Sequence, residues 1–477
     1  MRCGMLQNVS TCECDSVNNI KCVLKRQDIF SDMIKDSRKN LRGNHEIVKI
    51  YMGRGGNAID QRSERVMERQ RMPDPEMKRI NLKQQSYDVS TEDVNPGLKE
   101  DAESILSIVA KLVVALLCGV VFGFAAEKSR VFEPMSIREQ MVFEKWIMLK
   151  MFLAAVATGQ VCLNLLSVCS RTSEKFKKAS EQFFKTVSEK GLLTSTLGPF
   201  ILGIGMTLSG SCPGMVLTQV GAWCPNAIFT LMGALLAALI YGMVAQHIQN
   251  FTQPKVSYQS LQVHHTLKRP YILFALPLAG FLTVVVVLLE VYIPFTQDLE
   301  KPELQKSNIF ETRAWPPFVG GCLIGLLQLP VVLVLGDTIG GSSSYVTLVS
   351  QWVRTPYLKD KFPYLAERQS GMDNWWQVIY VIGAVVGGLV SSMSSNSFND
   401  VQGVGVFEAL VGGFLIVFGA RFASGCTSGH GLSGVGMLFW LSLIAVPFMF
   451  GGAISTAYIM RAVNGALDRY VNSTLEL

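Results

Sequence analysis

Apolar and polar positions separate sharply along this chain. Residues 1–102 hold no sustained apolar period, while nine later stretches each come near the roughly 20 apolar residues a helix needs to cross a bilayer core. They run over Ile105–Ala126, Trp146–Val168, Thr194–Ser211, Ala227–His247, Tyr271–Phe295, Pro317–Gly336, Trp376–Met393, Val406–Phe422 and Met437–Ile459. The pattern predicts an all-α integral membrane protein with about nine transmembrane helices, numbered below as spans 1 to 9. Between spans 2 and 3, RTSEKFKKASEQFFKTVSEK (171–190) sets Phe176, Phe183 and Phe184 among lysines. Its period predicts an amphipathic helix lying on the membrane surface.

Composition agrees that lipid is the solvent. Only 17% of the 477 residues are charged and 49% are hydrophobic, against about 25% charged in a soluble domain. The net charge of +6 is spread out, with no basic blocks beside aromatic clusters, so nucleic acid is not an expected partner. The segment 1–102 has 18 Lys/Arg and 16 Asp/Glu and too little apolar surface to offset the entropy of ordering. It is expected to be a mostly disordered tail, with a short helix near Ile59–Met72 and a turn at Asn95-Pro96-Gly97. A transport domain over 103–460 and a short C-terminal tail over 461–477 complete the division.

Seven of the eleven cysteines (Cys118, Cys162, Cys169, Cys212, Cys224, Cys322, Cys426) lie in or beside apolar stretches, where a thiol behaves mostly as a small hydrophobe. The other four (Cys3, Cys12, Cys14, Cys22) match no common zinc spacing, and neither a metal nor a cofactor is expected. Counting crossings, the loops on the tail's side hold six, three and four Lys/Arg, against four, three and two opposite. That excess favours a cytoplasmic N-terminus, in the plasma membrane.

A weak self-similarity appears at an offset of 214 residues. Gly198, Phe200, Gly205 and Cys212 match Gly412, Phe414, Gly419 and Cys426, giving G-x-F-x4-G-x6-C on an apolar helix that runs into a glycine-rich break. The same offset lays span 1 on span 6 and span 4 on span 9. The expected organisation is repeat one over 103–247, a linking helix over 271–295 and repeat two over 317–460, the halves inverted in the membrane. Inverted repeats with broken helices are a transporter construction, and matching breaks mark the binding site.

The first break reads GMTLSGSCPGM (205–215) and the second GARFASGCTSGHGLSG (419–434). Irregular backbone at membrane depth must be buried in protein or line a cavity. Helix N-termini after the breaks direct free N–H groups there, which suits an anion. The candidate translocation residues are Ser209, Ser211 and Cys212 in the first break, and Arg421, Ser424, Cys426, Thr427, Ser428 and His430 in the second. Small residues also let helices pack closely, so each break taken alone is equally a packing device. The alternatives for Arg421 and His430 are an ion pair with Glu408 or Glu290 and a satisfied structural histidine.

Both breaks, LSGSCPGM and GARFASGCTSGHGLSG, resemble signature segments of the YeeE/YedE sulfur-transport family over about residues 105–460. The resemblance implies thiosulfate as a substrate, a bundle of inverted halves with short re-entrant helices meeting at a constriction, and Cys212 and Cys426 lining it. Many relatives carry another cysteine in the turn after span 1; here EKSRVFEPMSIREQM (127–141) has none, although Ser129, Arg130 and Glu133 are polar. The corresponding turn of the second half, DTIGGSSSY (337–345), adds Ser342, Ser343 and Ser344 as candidates.

The function expected is passage of a small sulfur-containing anion along neutral thiols, which donate weakly enough to release it. An apolar setting keeps such thiols protonated. Lys111, Lys150 and Glu290 are expected to reach toward water from helix ends. No enzymatic activity is expected. The alternatives are a membrane sulfurtransferase with a cysteine persulfide, and a non-transporting scaffold.

Overall fold

A computed structural model describes residues 12–15, 19–22, 105–188, 191–252, 262–299 and 308–475. The chain divides into two units, Met1–Leu98 and Lys99–Leu477. In the first unit, Cys12–Asp15 pairs antiparallel with Asn19–Cys22, with Cys12 opposite Cys22. The expected helix near residues 59–72, the turn at 95–97 and the rest of the tail lie outside the described residues.

The second unit is helical, with one isolated bridge between Gln262 and Phe439 among its described residues. Nine of its described helices are long and apolar enough to cross a membrane: Leu106–Lys128, Ile147–Val168, Leu192–Ser209, Ala227–Thr252, Ile272–Tyr292, Pro317–Leu335, Met372–Ser394, Val406–Ala423 and Trp440–Gly465. The last helix continues to Leu475, so the expected C-terminal tail is largely helical. Span 5 is mostly exposed, as a helix facing lipid would be, whereas span 2 is mostly buried.

The helix pairings interchange when spans 1–4 are swapped with spans 6–9. Span 1 packs on span 7 and span 6 on span 2; span 3 packs on span 9 and span 8 on span 4; span 3 packs on span 8. Spans 3 and 8 share one length, Leu192–Ser209 and Val406–Ala423, each 18 residues. They cross antiparallel on the glycines of the sequence pattern. A Cβ on Gly205 would lie 2.8 Å from the Gly412 carbonyl, and one on Gly419 would lie 2.7 Å from that of Gly198. Small residues allow backbones to approach this closely without a hydrophobic driving force between helices.

The 214-residue offset holds for spans 3 and 8 but not throughout. A Cβ on Gly119 or Gly123 of span 1 would strike the Tyr380 or Ala384 carbonyl of span 7. One on Gly321 or Gly325 of span 6 would strike the Met151 or Ala155 carbonyl of span 2. The corresponding glycines are 202 residues apart (321 − 119 and 325 − 123). The halves differ in turn length: 36 residues separate span 6 from span 7 (371 − 335) but 18 separate span 1 from span 2 (146 − 128), whereas 11 separate span 7 from span 8 (405 − 394) and 23 separate span 2 from span 3 (191 − 168).

Helix Ser173–Ser188 departs from its expected place. Its apolar face, Phe176, Ala179, Phe183 and Val187, is buried against the protein, with Phe183 4.9 Å from Phe439 and Phe176 5.5 Å from Tyr271 between ring centroids. Met437, Leu438, Phe439 and Leu441, just past the second break, form apolar surface that this helix covers. Lys150 likewise does not reach for water. It is fully buried and paired with Glu290 at 2.9 Å, which joins span 2 to span 5.

Candidate functional site: two cysteine turns between two cavities

Both broken helices end in the same backbone conformation. Gly210 (φ 56°) and Ser424 (φ 61°) occupy left-handed geometry at matching positions, one residue past Ser209 and Ala423. Glycine adopts it at no steric cost, whereas serine does so uncommonly. After each turn a short helix restarts, Met215–Gly221 in one half and Thr427–Gly434, wound as a π-helix, in the other. The N–H groups of Gly214 and Met215 approach the Cys212 sulfur, and that of Gly429 approaches the Cys426 sulfur.

The turns meet. Thr427 of the second lies at the Cys212 thiol, and Tyr345, fully buried, donates to the Pro213 carbonyl at 2.6 Å. Tyr345 belongs to helix Ser342–Ser350, so the DTIGGSSSY segment joins the two turns.

The cysteines border two unlike cavities. One, of about 60 Å³, is lined by Cys212, Thr427, Ser428 and a set of Met, Phe and aliphatic side chains that includes Met206, Met215 and Phe152. The other, of about 230 Å³, holds Cys426, Ser342, Ser343, Arg421, Ser424, Asp337 and Arg368. Helix Ser173–Ser188 contributes Gln182, Phe183 and Thr186 to its wall. By the count of crossings it lies on the side where span 1 begins. A third cavity, of about 120 Å³, adjoins it through Arg368, Arg421 and Ser424 and adds Lys185.

Cys426 is not in the apolar setting expected of it. Its sulfur lies 3.2 Å from the Ser428 hydroxyl, and Ser342 and the N–H groups of Gly341 and Gly429 also face it. The serines of 342–344 come from a separate turn, whose approach to the second break the sequence does not reveal.

Arg421 is 6% exposed, and its guanidinium donates to Ser342 at 2.6 Å and to Ser343 at 3.1 Å. Its Nε has no partner, and no carboxylate among the described residues pairs with it. Both expected acids are engaged elsewhere, Glu408 with Arg138 and Glu290 with Lys150. A buried charge of this kind is costly unless paired, and here it borders a polar cavity that Arg368, Asp337 and Asp373 also line.

Other candidates fall outside the cavities' chemistry. His430 is 3% exposed, with both ring nitrogens engaged, Nδ1 by Ser442 at 3.0 Å and Nε2 by the Ala423 carbonyl at 3.1 Å. That is a structural histidine locking the second turn. Ser209 donates to the Gly205 carbonyl of its own helix at 2.8 Å, and Ser344 to Gly341 at 2.6 Å. Ser211 is fully buried against the Cys212 carbonyl at 3.3 Å. In the cysteine-free turn, Ser129 donates to Ala125 at 2.7 Å and Arg130 is buried between Glu127 (3.0 Å) and Glu133 (2.5 Å), a structural network rather than a path.

Several polar residues of the larger cavity escape sequence reasoning, Asp337 and Arg368 among them. Asp337 opens the DTIGGSSSY segment and as an ionisable residue at a helix end carried a legible signal. Arg368 sits in a polar loop and carried none.

Similarity to known proteins follows the same outline. Residues 128–455 match the family model described as sulphur transport. The thiosulfate transporter TsuA of Escherichia coli (strain K12) is 24% identical over 373 residues, covering 73% of this chain and 94% of the relative. That of Spirochaeta thermophila is 22% identical over 363 residues, 72% of this chain and 98% of the relative. A probable transporter of Xylella fastidiosa (strain 9a5c) is 29% identical over 147 residues, only 31% of this chain yet 94% of the relative. With the family match spanning most of its length and both breaks, this chain belongs to the sulphur transport family.

Proposed function

We propose that the protein passes a small sulfur oxyanion, such as thiosulfate, between two inverted halves, with the two cysteine turns as re-entrant segments at their junction. The observation that carries this reading is Arg421, a buried guanidinium without a carboxylate, sharing Ser342 with the Cys426 thiol. The anion sits in the larger cavity against Arg421, Ser343, Ser424 and Cys426. From there it is relayed past Thr427 and Ser428 to Cys212 and the apolar cavity.

Support for the inverted halves comes from the interchangeable pairings and the reciprocal glycine contacts of spans 3 and 8. A relative that matches only 147 residues, yet is 94% covered by them, agrees with a half as a unit. The narrow apolar cavity fits a constriction that excludes water until the anion displaces its Met and Phe lining. In this reading the tail lies in the cytoplasm, the membrane is the plasma membrane, and residues 1–102 take no part in the passage. The sulfurtransferase alternative needs a base beside a cysteine, and His430 has both nitrogens engaged.

The test is uptake of labelled thiosulfate, sulfite, sulfate and sulfide by proteoliposomes of the full chain. Saturable flux of at least one oxyanion is expected. Absence of flux for all four, or a persulfide trapped on Cys426 with no flux, overturns the proposal.

A further inference from the structure

Asp337 brings a carboxylate to the anion cavity from the turn after span 6, and the proposed passage does not use it. It lies between span 6 and helix Ser342–Ser350, outside the membrane-spanning segments, with Oδ1 accepting the Thr338 N–H at 2.7 Å. The Trp376 indole faces it from span 7. It shares the cavity wall with Arg421, Ser342 and Cys426.

The charges facing this carboxylate sum to +1, which its own charge brings to zero. Span 7 presents Asp373, with neutral Asn374 and Gln377; the loop before it presents Arg368; span 8 presents Arg421; the second break presents the Cys426 thiol. Helix Ser173–Ser188 offers neutral Gln182 and Thr186 here and Lys185 in the adjoining cavity. The two arginines and two carboxylates of the cavity wall sum to zero. A sulfur oxyanion with charge −2 breaks that balance inside a buried cavity. Protonating a carboxylate of the wall restores part of it.

Resting on the transport reading above, we infer that Asp337 is a proton site, taking up a proton as the anion enters the cavity and releasing it as the anion leaves, so that anion and proton move together. Burial already pushes the Asp337 carboxyl up to about 6, against weaker opposing effects of the Thr338 N–H, the Trp376 indole and Arg368. Before an anion enters, the group is therefore mostly ionised at neutral pH, and an anion beside Arg421 raises its proton affinity further. By linkage the proton raises anion affinity by the same factor. Anion affinity consequently falls as pH rises through and above 6.

The experiment uses the full chain in proteoliposomes with the voltage clamped by potassium and valinomycin, and thiosulfate as the probe. With the exterior one pH unit more acidic, one-for-one coupling accumulates thiosulfate about tenfold. Asp337→Asn should bring that ratio down toward one. A second measurement needs no variant: thiosulfate added to solubilised wild type at pH 7 in weak buffer should remove protons from solution, up to one per anion bound. Three results overturn the inference: wild-type flux that ignores the gradient, an Asp337→Asn protein that still accumulates, or thiosulfate binding without proton uptake. Flux without coupling removes this inference and leaves the transport reading standing; no flux and no binding of any oxyanion removes both.

Discussion

The two cysteine turns share a helix length, a left-handed cap and a restarted helix, yet their surroundings diverge. Cys212 faces Met206, Met215 and other apolar side chains in a cavity of about 60 Å³, with Thr427 as its side-chain donor. Cys426 faces serine hydroxyls and backbone N–H groups beside a cavity of about 230 Å³ that also holds Arg421. Under the proposed function, matched backbones with unmatched linings would give the passage a direction: one end would attract an anion from water, and the other would strip its hydration. The difference originates in residues on neighbouring elements, helix Ser342–Ser350 and the loop at Arg368 on one side and spans 2 and 9 on the other.

The comparison is broken most severely at Arg421. Arg421→Met leaves Ser342 and Ser343 in place and removes the unpaired charge. Losing the buried partner of a charged group costs about 3–5 kcal/mol, or roughly 150- to 5,000-fold in flux. Uptake of labelled thiosulfate at matched protein levels checks this. Flux within threefold of wild type would mean that the guanidinium serves only to tie span 8 to Ser342 and Ser343.

Next come the thiols. Cys426→Ala removes one donor beside the anion, about 1–3 kcal/mol, so flux should fall roughly 10- to 100-fold. Cys426→Ser should fall less, since Ser428 and Ser342 already set a pattern of hydroxyls around that position. Cys212→Ser should fall more than Cys426→Ser, because a hydroxyl is costlier to desolvate in the apolar cavity. Equal rates for the two serine variants would erase the distinction between the cavities. Cys118→Ala, in the packed interface of span 1, should leave flux nearly unchanged.

The smallest effects separate the two caps. An alanine at Gly210 takes a left-handed conformation costing about 1–2 kcal/mol, and its Cβ falls 2.5 Å from that of Pro134. Gly210→Ala should therefore lower thermal stability in detergent. Ser424→Gly relieves the same conformation and should raise it slightly. Melting curves of the two proteins should move in opposite directions; a shift in one direction for both would mean that the caps are not equivalent.

Much of this arrangement was legible in the residues. The nine apolar stretches coincide with nine described helices because segment length and composition alone decide what crosses lipid. Cys212, Cys426 and Arg421 stood out because breaks and charges are rare in such segments. What was not legible depended on contacts between distant segments. Helix Ser173–Ser188 has the same amphipathic period whether it lies on lipid or on protein, and only the packing of Phe183 on Phe439 distinguishes them. Lys150 and Glu290 each read as helix-end residues facing water, since their pairing joins spans 140 residues apart. The donors around Cys426 come from Ser342 and Gly341, so an apolar neighbourhood in sequence became a polar one in space.

Under the proposed function, anion binding beside the Arg421 guanidinium should also register in the stability of the protein. A ligand that binds the folded state at 100 times its dissociation constant stabilises it by about 2.7 kcal/mol. Any anion that fits beside Ser342, Ser343 and Cys426 should therefore raise the melting temperature in proportion to the logarithm of its concentration, including anions of the buffer. A ranking of salts by melting temperature in detergent would then report the selectivity of the site with no vesicle and no gradient. The purified protein should be least stable in the least coordinating salt.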